Sequence, residues 1–152
     1  MSTALADKPS QASFEKALRR RLTARKRVQS AVPNVRGVRQ GLDVAALDEV
    51  RAWLGLREEA LERVLSVSAR TLQRRRTGDQ RLTPSESDRL WRVLHVIHRA
   101  IDAFGDEEAA RTWLLSPQAL LGGETPLERL DTEPGLREVE DMLTVIDETA
   151  AA

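Results

Sequence analysis

From Asp43 onward, apolar residues return at intervals of three and four, the period of a helix with one face turned inward. Leu47, Val50 and Leu54 form the first such stripe, with Asp43 placed as an N-cap and Gly55 where a left-handed C-cap residue belongs. A second helix is predicted from about Glu58 to Leu65, turning Leu61, Val64 and Leu65 inward and placing Glu58 and Glu59 at the positive end of its dipole. Ser68 caps a third, short helix that runs to about Arg76 and closes at Thr77-Gly78-Asp79. The clearest start is Thr83-Pro84-Ser85-Glu86, a capping box with proline inside the first turn. Leu90, Val93, Leu94, Ile97, Ile101 and Phe104 then make a long inward stripe that ends at Gly105.

A second module follows. Asp106 is the expected N-cap of a helix to about Leu115, which Pro117 stops from continuing. After the Gly122-Gly123 turn, Thr125-Pro126-Leu127-Glu128 repeats the capping-box pattern. Pro134-Gly135 reads as the break before a last helix, whose face carries Leu136, Val139, Leu143 and Ile146. No segment alternates as a strand would, so the fold class is all-α: a helix-turn-helix domain followed by a small helical domain. The expected divisions are a basic N-terminal arm, partly flexible, over 1–42, the first domain over 43–104 and the second over 105–152.

The arm has one pattern of its own. Phe14, Leu18 and Leu22 recur every four residues amid Lys16, Arg19, Arg20, Arg21, Arg25, Lys26 and Arg27. A segment that follows DNA phosphates, a solvated helix or tail, and a membrane-surface helix all fit this pattern; the last lacks bulky aromatic anchors.

Charge changes the picture. The 152 residues carry 24 basic and 24 acidic side chains, but residues 1–100 hold 21 and 11 of them and residues 101–152 hold 3 and 13. A half at +10 is thus joined to a half at −10, which points to different partners for each, a polyanion for the first. The absence of cysteine excludes disulfides and thiolate zinc sites, and no apolar run approaches the length of a membrane span or secretory leader. The class expectation is a soluble cytoplasmic protein.

Residues 58–76 have the form of a helix-turn-helix: Val64-Leu65, a tight turn at Ser66-Val67, a cap at Ser68, and a second helix anchored by Leu72. With Leu72 inward at 100° per residue, Arg70, Arg74 and Thr77 point outward, Gln73 lies to one side, and Arg75 and Arg76 flank the anchor. Arginine forks match guanine O6 and N7, glutamine can bridge adenine, and the remaining arginines are available for phosphates. Ser68, Arg70, Gln73, Arg74 and Thr77 are therefore the candidate DNA-binding residues. An arginine-rich solvent face on an ordinary helical hairpin is the plainer alternative. Ser66 stands where glycine is usual, because that turn position often needs positive φ.

From about Asp43 the chain resembles the Xre/MbcA/ParS-type antitoxins, in which an Xre-like DNA-binding domain precedes a toxin-binding domain. The resemblance is carried by the helix-turn-helix together with Trp113-Leu114, Pro117, the run Leu121-Gly122-Gly123-Glu124-Thr125-Pro126-Leu127-Glu128-Arg129-Leu130, Thr132, Gly135, Val139 and the ending from Leu143 to Ile146. It covers about two-thirds of the chain and leaves out residues 1–42. It implies an antitoxin that dimerises, binds operator DNA to repress its own operon, and masks a RES-domain toxin. Such toxins consume NAD, so the cofactor belongs to the partner and this chain needs none. Glu124, Leu127, Arg129, Leu136, Glu140, Leu143, Ile146, Asp147 and Glu148 are the expected toxin-facing residues, with the final helix and its acidic tail nearest the toxin's active site. Gly122, Gly123, Thr125 and Pro126 read equally as turn and cap residues, and Trp113 as core.

An enzyme is not indicated. His95 and His98 lie three apart on a helix, a spacing compatible with a metal, but no carboxylate or cysteine cluster accompanies them in sequence. No nucleophile turn or phosphate loop is present. The functional alternative is a stand-alone dimeric helix-turn-helix repressor.

Overall fold

The computed structural model describes residues 32–152, and the stripe at Phe14, Leu18 and Leu22 lies outside them. Seven α-helices and two 3-10 turns account for the described chain, with no strand among the described residues. The helices are α1 (Val35–Gln40), α2 (Val44–Leu54), α3 (Glu58–Leu65), α4 (Ala69–Thr77), α5 (Pro84–Phe104), α6 (Glu107–Leu114) and α7 (Glu133–Ala151). The 3-10 turns, Ala119–Leu121 and Glu128–Asp131, lie between α6 and α7.

Local chemistry sets most of these boundaries. The Asp43 carboxylate accepts the Ala45 N–H at 2.9 Å to open α2, and Gly55 closes it in the left-handed region. At α5 both halves of the capping box form: Glu86 N–H donates to Thr83 Oγ1 at 3.2 Å, and Thr83 N–H to Glu86 Oε2 at 2.8 Å. Asp106 caps α6 through the Ala109 N–H, and Gly105 is left-handed at the end of α5.

The 21-residue α5 is the spine of the molecule. It packs against α1, α3, α6 and α7, and buries Leu90, Val93, Leu94, Val96, Ile97, Ala100, Ile101 and Ala103. One continuous apolar cluster runs from Leu42 in the first module to Leu143 in the second. Full burial of each large side chain contributes about 1.5–3 kcal/mol, so both modules draw stability from the same helix.

Two elements depart from the sequence expectation. A short helix, α1, precedes Asp43 and packs on α5, where Trp91 Nε1 donates to the Pro33 carbonyl at 3.1 Å and Leu42 is buried. Six residues with no buried side chain give no periodic signal, so only the tertiary contact reveals this helix. Pro134-Gly135, expected as a break, instead forms the first turn of α7. Thr132 caps that helix by accepting the Gly135 N–H at 3.2 Å, and proline is tolerated there because a first-turn N–H has no intrahelical partner. Gly135 is buried, and a Cβ at this position would overlap the Arg129 carbonyl oxygen, so glycine is what lets α7 cross so closely over the preceding turn. Phe104 and Ile146, expected on inward stripes, are only half-buried.

Candidate functional site

The helix-turn-helix forms from α3 and α4. Ser66 takes up the left-handed conformation directly, at φ 54° and ψ 44°, so the turn keeps its shape without glycine. Val67 is buried behind it, and its N–H donates to the Glu62 carbonyl at 3.2 Å. The Glu62 carboxylate accepts the Ala69 N–H, which places a negative charge at the positive end of α4. Ser68 caps the same helix, accepting the Thr71 N–H at 3.2 Å and donating its hydroxyl hydrogen to Thr71 Oγ1 at 3.0 Å.

Only one side chain of α4 is buried, Leu72 at 0% exposure. One leucine is a thin attachment for a nine-residue helix, and three ion pairs from two arginines complete it. Arg76 presents its guanidinium fork to Asp48 on α2, with Nε to Oδ2 at 3.1 Å and Nη2 to Oδ1 at 2.6 Å, while Nη1 reaches Glu58 on α3 at 2.6 Å. The Asp48 hydrogen bond, helped by Glu58 against the opposing effect of burial, raises the Arg76 pKa further. Arg75 pairs with Glu86 of the α5 capping box. Burial works to raise the Glu86 pKa, but the Arg75 hydrogen bond and the Thr83 backbone and side-chain bonds outweigh it and hold the carboxyl below its ordinary value.

Of the five polar positions expected to face DNA, Gln73 touches these ties, its side-chain oxygen accepting from Arg76 Nη1 at 3.5 Å. Ser68, Arg70, Gln73, Arg74 and Thr77 are all exposed, and a shallow recess follows Arg70, Thr71, Gln73, Arg74 and Thr77. The Arg70 and Arg74 guanidinium groups make no hydrogen bond or ion pair with another described residue. Thr77 spends its hydroxyl on the Arg74 carbonyl at 3.0 Å. Arg75 and Arg76, whose charge the sequence left available for phosphates, are instead committed inside the protein. Their partners Asp48, Glu58 and Glu86 come from three other elements, a convergence that spacing within α4 does not disclose.

The second module divides its expected residues in a different way. Leu127, Leu136 and Leu143 are exposed by only 5%, 9% and 0%, so they build the core and offer a partner almost no surface. Glu124 and Arg129 pair at 2.9 Å, and Glu138 stands 3.6 Å from the same Arg129 Nε. Glu140 Oε1 lies 2.7 Å from His95 Nε2, Ile146 is half-buried, and Asp147 and Glu148 are exposed. Thr125 and Glu128 do form the reciprocal bonds of a capping box, and the Thr125 N–H in particular, with the Thr125 hydroxyl and the charge of Arg63, lowers the Glu128 pKa. Trp113 is half-buried with its ring 5.6 Å from that of Phe104.

His95 stacks on Trp91 with centroids 4.8 Å apart, and His98 Nδ1 lies 3.4 Å from Asp102. Among the described residues no group of three or more His, Asp or Glu side chains could hold a metal ion, and no helix is long and apolar enough to cross a membrane. Leu120 was not singled out by sequence, yet at 85% it is the most exposed large apolar side chain of the described residues. The Leu120-Leu121 pair carries no signal saying which leucine turns inward.

Residues 33–95 match the family described as the antitoxin Xre-like helix-turn-helix domain. Residues 99–148 match the antitoxin Xre/MbcA/ParS C-terminal toxin-binding domain. Among similar proteins, the antitoxin Xre of Yersinia enterocolitica is 36% identical over 110 residues, covering 72% of this chain and 74% of the relative. The antitoxin Xre of Photorhabdus laumondii is 32% identical over 109 residues, covering 71% and 74%. The antitoxin Xre of Pseudomonas putida is 41% identical over 88 residues, or 58% of this chain and 55% of that protein.

Proposed function

Since the chain belongs to the Xre antitoxin family, with its helix-turn-helix and toxin-binding domains, we propose that it neutralises a co-encoded RES-domain, NAD-degrading toxin in the cytoplasm and represses its own operon. The observation that carries the DNA half is the division of the α4 arginines. Arg75 and Arg76 hold the helix in place, while Arg70 and Arg74 face outward uncommitted. In this reading Arg74 and Gln73 read base edges, and Ser68, Arg70 and Thr77 fix the register on the backbone.

The working repressor is a homodimer, and its operator is an inverted repeat with half-sites about 34–36 Å apart or a multiple of that spacing. Arg74→Ala costs about 1–3 kcal/mol on the operator and much less on random DNA. An equal loss on both removes Arg74 from base readout.

For the toxin half, the proposed contact set is Glu124, Arg129, Glu140, Ile146, Asp147 and Glu148, with the acidic end of α7 entering a cationic nucleotide cleft. Charge complementarity of this kind speeds encounter and sets register. The test is co-expression with the neighbouring reading frame. Restored growth, preserved cellular NAD and co-purification support the reading; a harmless, unbound neighbour returns the protein to a stand-alone repressor.

A further inference from the structure

Leu120 sits at the tip of the turn Ala119–Leu121, exposed by 85%. Isolated apolar residues are common on protein surfaces and ordinarily mean nothing. This one differs in how firmly it is held. The Leu121 and Gly123 N–H groups both donate to the Gln118 carbonyl at 3.0 Å, and the Gln118 N–H donates to the Glu124 carbonyl at 2.9 Å. Arg129 Nη2 clamps the Leu121 carbonyl at 2.8 Å, and Leu121 itself is buried beneath. Gly122 and Gly123 close the loop at φ 68° and 88°, backbone that other residues adopt only under strain. The loop is thus tied at both ends, braced from below, and leaves one large apolar side chain projecting.

We propose that Leu120 is an anchor that inserts into an apolar recess on the toxin, bordered by a basic side chain. This inference rests on the antitoxin reading above and deepens it. The loop lies within residues 99–148, the part matched to the toxin-binding domain, so the knob belongs to the segment whose family role is to meet that partner. A preordered loop gives up little conformational freedom on binding, which raises affinity without new contacts. The charge of the border follows from the neighbours: Arg129, which clamps the loop, is flanked by Glu124 and Glu138 and leaves the trio at a net −1. The basic half of the match then lies on the toxin.

Titration of the full-length protein against the purified neighbouring gene product tests this, with Leu120→Ala, Leu120→Glu and Leu120→Met beside the parent chain. Ala is expected to weaken toxin binding by about 30-fold or more, the scale of an interface hot spot, with Glu worse and Met near the parent. Melting temperature and operator binding stay unchanged, because the side chain packs against little. Should Glu lower the melting temperature, the uncharged Ala and Met pair decides. Parent-like toxin binding by Ala overturns the anchor while leaving the antitoxin reading intact. A change in oligomeric state with toxin affinity preserved overturns it too, in favour of a second copy of this chain. If the parent chain itself fails to bind the neighbour, the antitoxin reading falls and the anchor with it.

Discussion

The chain contains the same four-residue signature twice, Thr83-Pro84-Ser85-Glu86 and Thr125-Pro126-Leu127-Glu128, and the two copies make nearly the same bonds. In each, the threonine N–H donates to the glutamate carboxylate at 2.8 Å and the glutamate N–H to the threonine hydroxyl at 3.2 Å. Yet the first opens a 21-residue helix and the second only a four-residue 3-10 turn. Closing the first turn is the costly step in a helix, but continuing it is decided by what comes next. After Glu86 come about five turns of core-facing stripe; after Glu128 a second cap, Thr132, claims the chain and starts α7 in a new direction. The glutamates also differ in their outward duties. Glu86 holds Arg75 of α4, whereas Glu128 feels Arg63 of α3 across the boundary between modules.

The largest expected effect separates these duties. Glu86→Ala removes the partner of a nearly buried Arg75 as well as half a capping box. It should cost about 3–5 kcal/mol by chemical denaturation and loosen α4, so that operator affinity falls as well. A loss no greater than that of an ordinary cap would dissolve the distinction between the two boxes. Gly135→Ala follows, since the new Cβ meets backbone that cannot rotate away. The destabilisation should be about 1–3 kcal/mol, centred on the junction of the second box with α7. Parent-like stability would show that this crossing relaxes easily.

Thr83→Ala and Thr125→Ala compare the caps alone, at about 1 kcal/mol each by thermal melting. If the second is silent, the bonds around Glu128 are ornament rather than support. The smallest effect is in acid. Both glutamates are held below the ordinary value of 4.5, so the stability they contribute is full above that pH and is lost as pH falls through their folded values. Glu86→Gln should flatten the acid limb of the stability curve more than Glu128→Gln does.

What could be read in advance follows from the range of the interaction. Asp43, Ser68, Thr83, Asp106 and the left-handed Gly55 act within four residues, and each does what its type and position imply. The outward face of α4 was likewise a matter of periodicity around Leu72. Missing from the sequence was everything that depends on distant partners: the short α1 laid on α5, the commitment of Arg75 and Arg76, and the core position of Leu127. Pro134-Gly135 misled for a related reason. The dipeptide breaks helices in isolation, and only the nearby Arg129 carbonyl explains why glycine is needed inside one.

The shared spine has a consequence for turnover. A helix that supplies the core of both modules cannot lose one and keep the other, so exchange of its central amides should require opening of the whole described structure, with one protection value on both sides. A single cut that released α7 would then retire the DNA-reading head together with the toxin-binding surface. The cell would count this protein in whole molecules, and each loss would at one stroke remove the helix-turn-helix domain and the toxin-binding domain together.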